Sequence, residues 1–316
     1  MKQMRRKTMR RQRETEQTVI CAAALLSLLA IVTADYGPRV PLLGAVAALT
    51  AYLTERLYLR IRGLKPDSRL NRAVLDGEIL LMLMPVTVPV SLFIISCIFA
   101  VIIGNFRIKG ERAPLIPAAP AGYCLAWLIS RNSVLLFPAK KEWLPLFRID
   151  RSMLTEGASA IWNHKWSFPA SSLNRIIGVR KLPIGSCSLL MLAVIACVFL
   201  ARRISSREVL LSAVISMITV NEIMTLMQIP EQAAAAAMMT NQFLFSVVFI
   251  FSEKSIAPPR IGGVLFGLLI TSCWFSMTRL HDYGDAVMWI AAALGPVAAV
   301  LRKIMRTEQK ERRRTA

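Results

Sequence analysis

The stretch Gly104–Ile129, GNFRIKGERAPLIPAAPAGYCLAWLI, decides how this chain folds. A basic hairpin (Arg107, Lys109, Arg112) sits between two apolar runs, and Pro114, Pro117 and Pro120 then punctuate a segment that is otherwise apolar enough for a bilayer, with Pro138 following further on. Proline lacks a backbone donor and clashes with the preceding helical turn. In lipid, the carbonyls it frees must be satisfied by protein or by a water-lined cavity. A broken, proline-rich helix at bilayer depth therefore points to a site between helices rather than to a plain anchor.

Outward from this stretch the rest of the chain fits a membrane. It is 55% hydrophobic yet carries a formal charge of +20, and the charge is concentrated in tails and short loops. The first tail holds Lys2, Arg5, Arg6, Lys7, Arg10, Arg11 and Arg13, and the last holds Arg302, Lys303, Arg306, Lys310 and Arg312 to Arg314. Between them recur apolar runs, several long enough for a helix to cross the hydrocarbon. Basic residues that flank apolar spans are what the positive-inside rule produces, and no soluble domain remains to carry nucleic-acid binding. The first tail resembles the charged start of a signal peptide, but the run after it lacks a convincing small-residue cleavage site, so that run reads as a retained first helix.

Ten spans are expected, some short: 19–34, 42–59, 76–88, 89–106, 114–130, 184–201, 209–227, 232–251, 261–278 and 285–304. Under that count the tails and the basic loops 60–72, 107–112, 202–207 and 253–260 share one side, which the charge rule makes cytoplasmic. The long loop 131–183 falls outside; its own basic character does not count, because long loops translocate largely regardless of charge. The chain then divides into a basic tail (1–17), a first five-helix repeat (18–130), the outer loop (131–183), a second five-helix repeat (184–304) and a second basic tail (305–316). An odd number of spans per half inverts the second half, so the expected fold is an all-α polytopic membrane protein of two inverted five-helix repeats with broken helices.

Chemistry-bearing residues are sparse. Six cysteines stand singly within apolar runs, and His164 and His281 are far apart, so neither a zinc site nor a self-contained iron–sulfur site is indicated. Nothing resembles a hydrolase triad or a phosphate loop. Within the spans, Glu78, Asn221 and Glu222 are the notable polar residues; ionisable groups inside a membrane mark ion paths, or else sit near enough to an end to reach water. Asp76 and Glu78 read as a solvated cap near the inner surface. Trp143, Trp162 and Trp166 in the long loop read as an interfacial aromatic belt.

Five motifs, in order and from Asp76 to the end, carry a resemblance. Asp76-Gly77 opens the third span. Pro114-Leu-Ile-Pro117-Ala118 precedes Gly122-Tyr123. Gly185-Ser-Cys-Ser188 opens the sixth span, with Arg202-Arg203 at its inner end. Phe251-Ser-Glu253 precedes Phe266-Gly267, and Arg279-Leu-His-Asp-Tyr283-Gly-Asp285-Ala-Val287 follows. In these the chain resembles the RnfD/NqrB family, the membrane subunits of the Rnf ferredoxin:NAD electron-transport complex and of its relative, the sodium-pumping NADH:quinone reductase. Its length suits the Rnf member better than the larger relative.

That resemblance implies an integral subunit, in a bacterial inner membrane with both termini cytoplasmic, of a flavin-linked electron-transfer complex that moves Na⁺ or H⁺. It implies FMN joined through its phosphate to a hydroxyl in the outer loop, where Gly157, Ala158 and Ser159 match the acceptor motif. Serine replaces the family's threonine, Met153 stands where the family has Asp, and Glu156 replaces a small hydroxyl residue. Both Asn residues of the proline motif are replaced, by Ala113 and Ile116, and Glu253-Lys254 replaces Asp-Pro. The implied partners are the other membrane subunits, a flavin transferase and membrane lipid, with no nucleic acid. The chain alone has no complete activity in this reading, since it offers no NAD fold. Two other readings stand beside it: a cofactor-free scaffold of such a complex, and a channel-like permease, against which the scarcity of polar residues in the spans counts. Glu222 and Asn221 are the candidates for an ion path.

Overall fold

The structure, a computed structural model, describes residues 2–63, 69–106, 114–139, 143–146, 149–159, 181–227, 234–280 and 286–315. The hairpin 107–112, Trp162 and Trp166 of the expected aromatic belt, and most of the motif from His281 to Asp285 lie outside the described residues. The first four helices are α1 (Lys2–Tyr36), α2 (Arg39–Ile61), α3 (Arg69–Leu83) and α4 (Val90–Gly104). Then come α5 (Ala118–Ile129) and the short α6 (Arg131–Leu135). The second half holds α7 (Leu189–Ala201), α8 (Arg207–Leu226), α9 (Ala234–Met239), α10 (Phe243–Ser246), α11 (Ile261–Phe275) and α12 (Ala286–Thr315). Helix lies within each of the ten expected spans. The protein is an all-α polytopic membrane protein, with five helices long and apolar enough to cross a bilayer and three shorter apolar ones.

The surface composition agrees. On α2 the buried stripe Val40, Leu43, Gly44, Ala47, Ala51, Glu55 and Leu59 recurs at helical spacing. The opposite face shows Leu49, Leu53, Leu57 and Ile61, all more than half exposed. In water that face would be a patch demanding cover; in lipid it is the expected girdle. Inside, helices approach through small residues, the contact membrane helices favour because it brings backbones together. A Cβ added at Gly77 would lie 2.9 Å from Ala51 Cβ, and one at Gly122 would lie 2.7 Å from the Ser96 carbonyl oxygen.

Three elements depart from expectation. α1 does not begin at the bilayer: the basic tail forms its first turns, a continuous helix from Lys2. The third span, expected at 76–88, is helical over Arg69–Leu83, and it stops there because Pro85 disfavours helix at Met84. The span expected at 232–251 is broken. α9 passes into a 3₁₀ turn (Thr240–Gln242), Gln242 adopts φ 60°, and after α10 the chain continues as a π-helix over Val247–Phe251. A second π-helical stretch, Ser276–Leu280, ends the segment begun by α11.

The two halves interlock. The Met84 carbonyl accepts from Ile184 N (3.2 Å), and the Leu83 carbonyl accepts from Gln242 Nε2 (2.8 Å). Trp127 of α5 meets Trp289 of α12 edge to face, with centroids 5.4 Å apart. Gly295 sits directly against the Leu115 carbonyl, where no side chain would fit, and an added Cβ would lie 3.1 Å from Pro117 Cδ. The proline stretch before α5 is therefore the seat of the last helix.

Candidate functional site

One end of the bundle carries the described parts of the long loop 131–183, and a single arginine organises it. Arg39, at the first position of α2, is 1% exposed. Its Nε donates to the Val86 carbonyl (2.8 Å) and its Nη2 to Val88 (2.9 Å), while Nη1 donates to Pro145 (3.1 Å) and Leu146 (2.7 Å). The planar fork of donors thus ties the turn between α3 and α4 to the loop. Between those two anchored carbonyls, the Thr87 hydroxyl donates to the Leu136 carbonyl (2.6 Å). Leu136 opens β1 (Leu136–Pro138), which pairs antiparallel with β2 (Leu154–Glu156), the one two-stranded ribbon among the described residues.

β2 leads straight into Gly157, Ala158 and Ser159. Gly157 is pressed on the Phe137 ring, where an added Cβ would lie 2.5 Å from Cε2. Ala158 is fully buried and its N–H donates to the Lys181 carbonyl (2.8 Å). Ser159 is half-buried and Glu156 exposed. Met153, where the family has an aspartate, is half-buried, and its carbonyl accepts from Ala139 N (2.8 Å). The three residues singled out in the sequence therefore stand together on a braced turn whose brace, through Thr87 and Arg39, reaches back to the transmembrane helices.

Asn221 and Glu222 occupy different environments on α8. Asn221 is buried, its amide donating to the Met217 carbonyl (2.8 Å) one turn back. Glu222 is exposed on the outer flank of α8. Asp76 and Glu78 lie within α3, and Trp143 is exposed at the loop end, packed over Gly37.

The other end of the bundle is basic, and there Glu55, Arg72 and Asn105 are polar residues the sequence did not single out. Glu55 is 1% exposed and accepts from Asn105 Nδ2 (2.5 Å) through Oε2, while its Oε1 has no partner. It lines a recess of about 20 Å³ with Arg72, Asp76, Val101, Gly104 and Asn105, a volume that accommodates about one water. Arg72 pairs with Glu253 (2.5 Å), joining α3 to the turn before α11, and Ser255 Oγ donates to the same carboxylate oxygen. Arg302 donates to the carbonyls of Ser255 and Ile256. Lys254 donates to the Arg203 carbonyl; burial and the neighbouring Arg203 and Arg207 charges push its ammonium below the usual lysine range. Glu55 was legible in one respect: it falls four residues after Ala51 and eight after Ala47, on the buried stripe of α2. Among the described residues no three His, Cys, Asp or Glu side chains gather as a metal-binding set.

A bundle of short and broken apolar helices, joined half to half, defines a polytopic membrane protein. The model of the NQR2, RnfD, RnfE family matches residues 5–297, and the chain belongs to that family. It is accordingly a membrane subunit of an Rnf/Nqr-type complex. No curated protein matches the chain closely enough to stand as a relative.

Proposed function

We propose that this protein carries electrons through the membrane arm of its complex by way of FMN held covalently on Ser159, coupled to movement of Na⁺ or H⁺, in a bacterial inner membrane with both termini in the cytoplasm. The observation that carries the reading is the braced turn itself. Gly157 lets the Phe137 ring lie against the backbone, Ala158 is fixed by its bond to Lys181, and the next residue, half-buried Ser159, carries the hydroxyl. These residues suit a phosphoester acceptor. Ser159 would supply the oxygen, Phe137 and the β1–β2 ribbon the footing, and Arg39 the link to the helices. The flavin supplies the redox chemistry when bound, while the chain supplies orientation and a rigid frame. Exposed Glu156 places a carboxylate three residues from the acceptor, so a transferase must accept a charge there.

Met153 favours a second reading. An apolar, half-buried side chain at the family's aspartate position suits a scaffold that has kept the turn and lost the cofactor. One experiment separates the two. The chain is produced with its own partner subunits and flavin transferase and examined by in-gel flavin fluorescence and intact mass. Flavin mass in the wild type that vanishes in Ser159→Ala supports the acceptor; a wild type without flavin mass leaves the scaffold. Recovery of the chain alone, with solute conduction in liposomes, would favour a permease instead.

A further inference from the structure

α8 turns one face inward through Val209, Leu210, Ala213, Met217 and Asn221. The opposite face is a straight stripe of Leu211, Ile215, Ile218, Glu222 and Leu226, spaced by three and four residues and all exposed. Four of these five suit lipid. Glu222 does not. It lies fifteen residues beyond Arg207, the charged start of the helix, and at 1.5 Å per residue that places it about 22 Å along the axis. A hydrocarbon core of about 30 Å leaves roughly 8 Å still to cross. A glutamate has only two methylenes and cannot snorkel that distance as a lysine does. The body of the protein also continues past this level: α11 runs alongside in the same direction, Ser216 Oγ donating to Thr271 Oγ1 (2.7 Å), and helix persists to Leu280. Among the described residues Glu222 forms no ion pair. Ionisable groups in the hydrocarbon are expensive when they face lipid, and they are found paired or hydrated.

We infer that the Leu211–Leu226 stripe of α8 is the docking face for a transmembrane helix of a neighbouring subunit, which presents a lysine, an arginine or another hydrogen-bond donor to Glu222. Charge complementarity selects the partner. A two-fold contact between copies of this chain along the stripe would set two Glu222 carboxylates against each other, so the occupant is a different chain. The stripe supplies the apolar contact, and the carboxylate fixes register along it, as a single buried polar residue does in a helical pair. The inference rests on the chain's acting within a complex, and it adds which face is covered and by what chemistry.

The test uses the whole complex in its native membrane, with the isolated chain in nanodiscs beside it. Glu222→Leu suits lipid better than the wild type, but would strand the partner's donor. The expected result is a fall of about tenfold or more in the neighbouring subunit that co-purifies, with the isolated chain's melting temperature unchanged or raised. Glu222→Gln, which still accepts a hydrogen bond, should retain an intermediate amount. A photocrosslinker at Ile218 should join a membrane-spanning segment that carries the donor, and replacing that donor by leucine should restore assembly with Glu222→Leu. Full assembly of Glu222→Leu, crosslinks to lipid alone, or unfolding of the isolated Glu222→Leu chain would each overturn the inference. A wild type that brings down no membrane subunit at all would instead count against its acting in a complex.

Discussion

At the scale of single residues, glycines and one arginine set the constraints. Gly267 lies so close to α8 that an added Cβ would sit 2.8 Å from the Val209 carbonyl oxygen and 3.0 Å from Ala213 N, and would overlap Ser212 Oγ. Backbone cannot step aside as a flexible side chain can, so Gly267→Ala should destabilise the chain by about 1–3 kcal/mol. The thermal midpoint in detergent measures this, and an unchanged midpoint would mean that α8 and α11 are not so closely packed. Arg39→Met should cost at least as much, because it strips a shared donor from four carbonyls, and a buried acceptor left without a partner costs about 1–3 kcal/mol. Arg39→Lys keeps the charge but loses the fork, and should fall between. The sequence showed Arg39 only as one more basic residue near a span end. Its partners Val86, Val88, Pro145 and Leu146 come from two distant segments, and no local pattern announces such a convergence. Gly157, Ala158 and Ser159 were legible because the motif is contiguous.

At the scale of elements, what periodicity could reveal and what it could not are easy to separate. The stripe of α2 was open to reading, and so was the proline break before α5, since both follow from local chemistry. The interruption at Gln242 was not. The run 234–251 is apolar enough to pass for one span, and the polar Thr240-Asn241-Gln242 looks like a tolerated insertion. What stabilises the left-handed Gln242 is the Leu83 carbonyl, 159 residues away in sequence. Replacing Gln242 by alanine removes that bond and adds no clash, and should lower the thermal midpoint more than Asn241→Ala does. The Arg72–Glu253 pair offers a cleaner measurement. Both side chains are about one-third exposed, so the coupling should be modest, about 1 kcal/mol or less. Arg72→Glu and Glu253→Arg should each loosen the chain, and the double exchange should recover much of the loss. A double exchange as unstable as the sum of the singles would show that the ion pair does not couple the two segments.

At the scale of the whole molecule, the basic and loop-bearing ends define an axis. The basic end gathers Arg72, Arg202, Lys254 and Arg302, and the other holds Arg39, the β1–β2 ribbon and Ser159. By the charge rule the first end is expected to face the cytoplasm. An impermeant thiol reagent should therefore label Trp162→Cys in intact cells, and Arg62→Cys only after lysis. Reversal of that pattern would place Ser159 on the cytoplasmic side. The architecture was legible at this scale because composition and length alone dictate membrane helices. The joining of the halves was not, since it depends on side chains that meet across the chain.

The seat of α12 on the proline stretch also has a cost in time. Gly295 and Trp289 complete their contacts with Leu115, Pro117 and Trp127 only once the final helix has been made. At ribosomal speeds of about 5–20 residues per second, the roughly 180 residues between the two partners take roughly ten to forty seconds to synthesise. For that interval α5 and the proline stretch before it stand without the contacts that Gly295 and Trp289 provide, so the first half reaches its final packing only after α12 has been made.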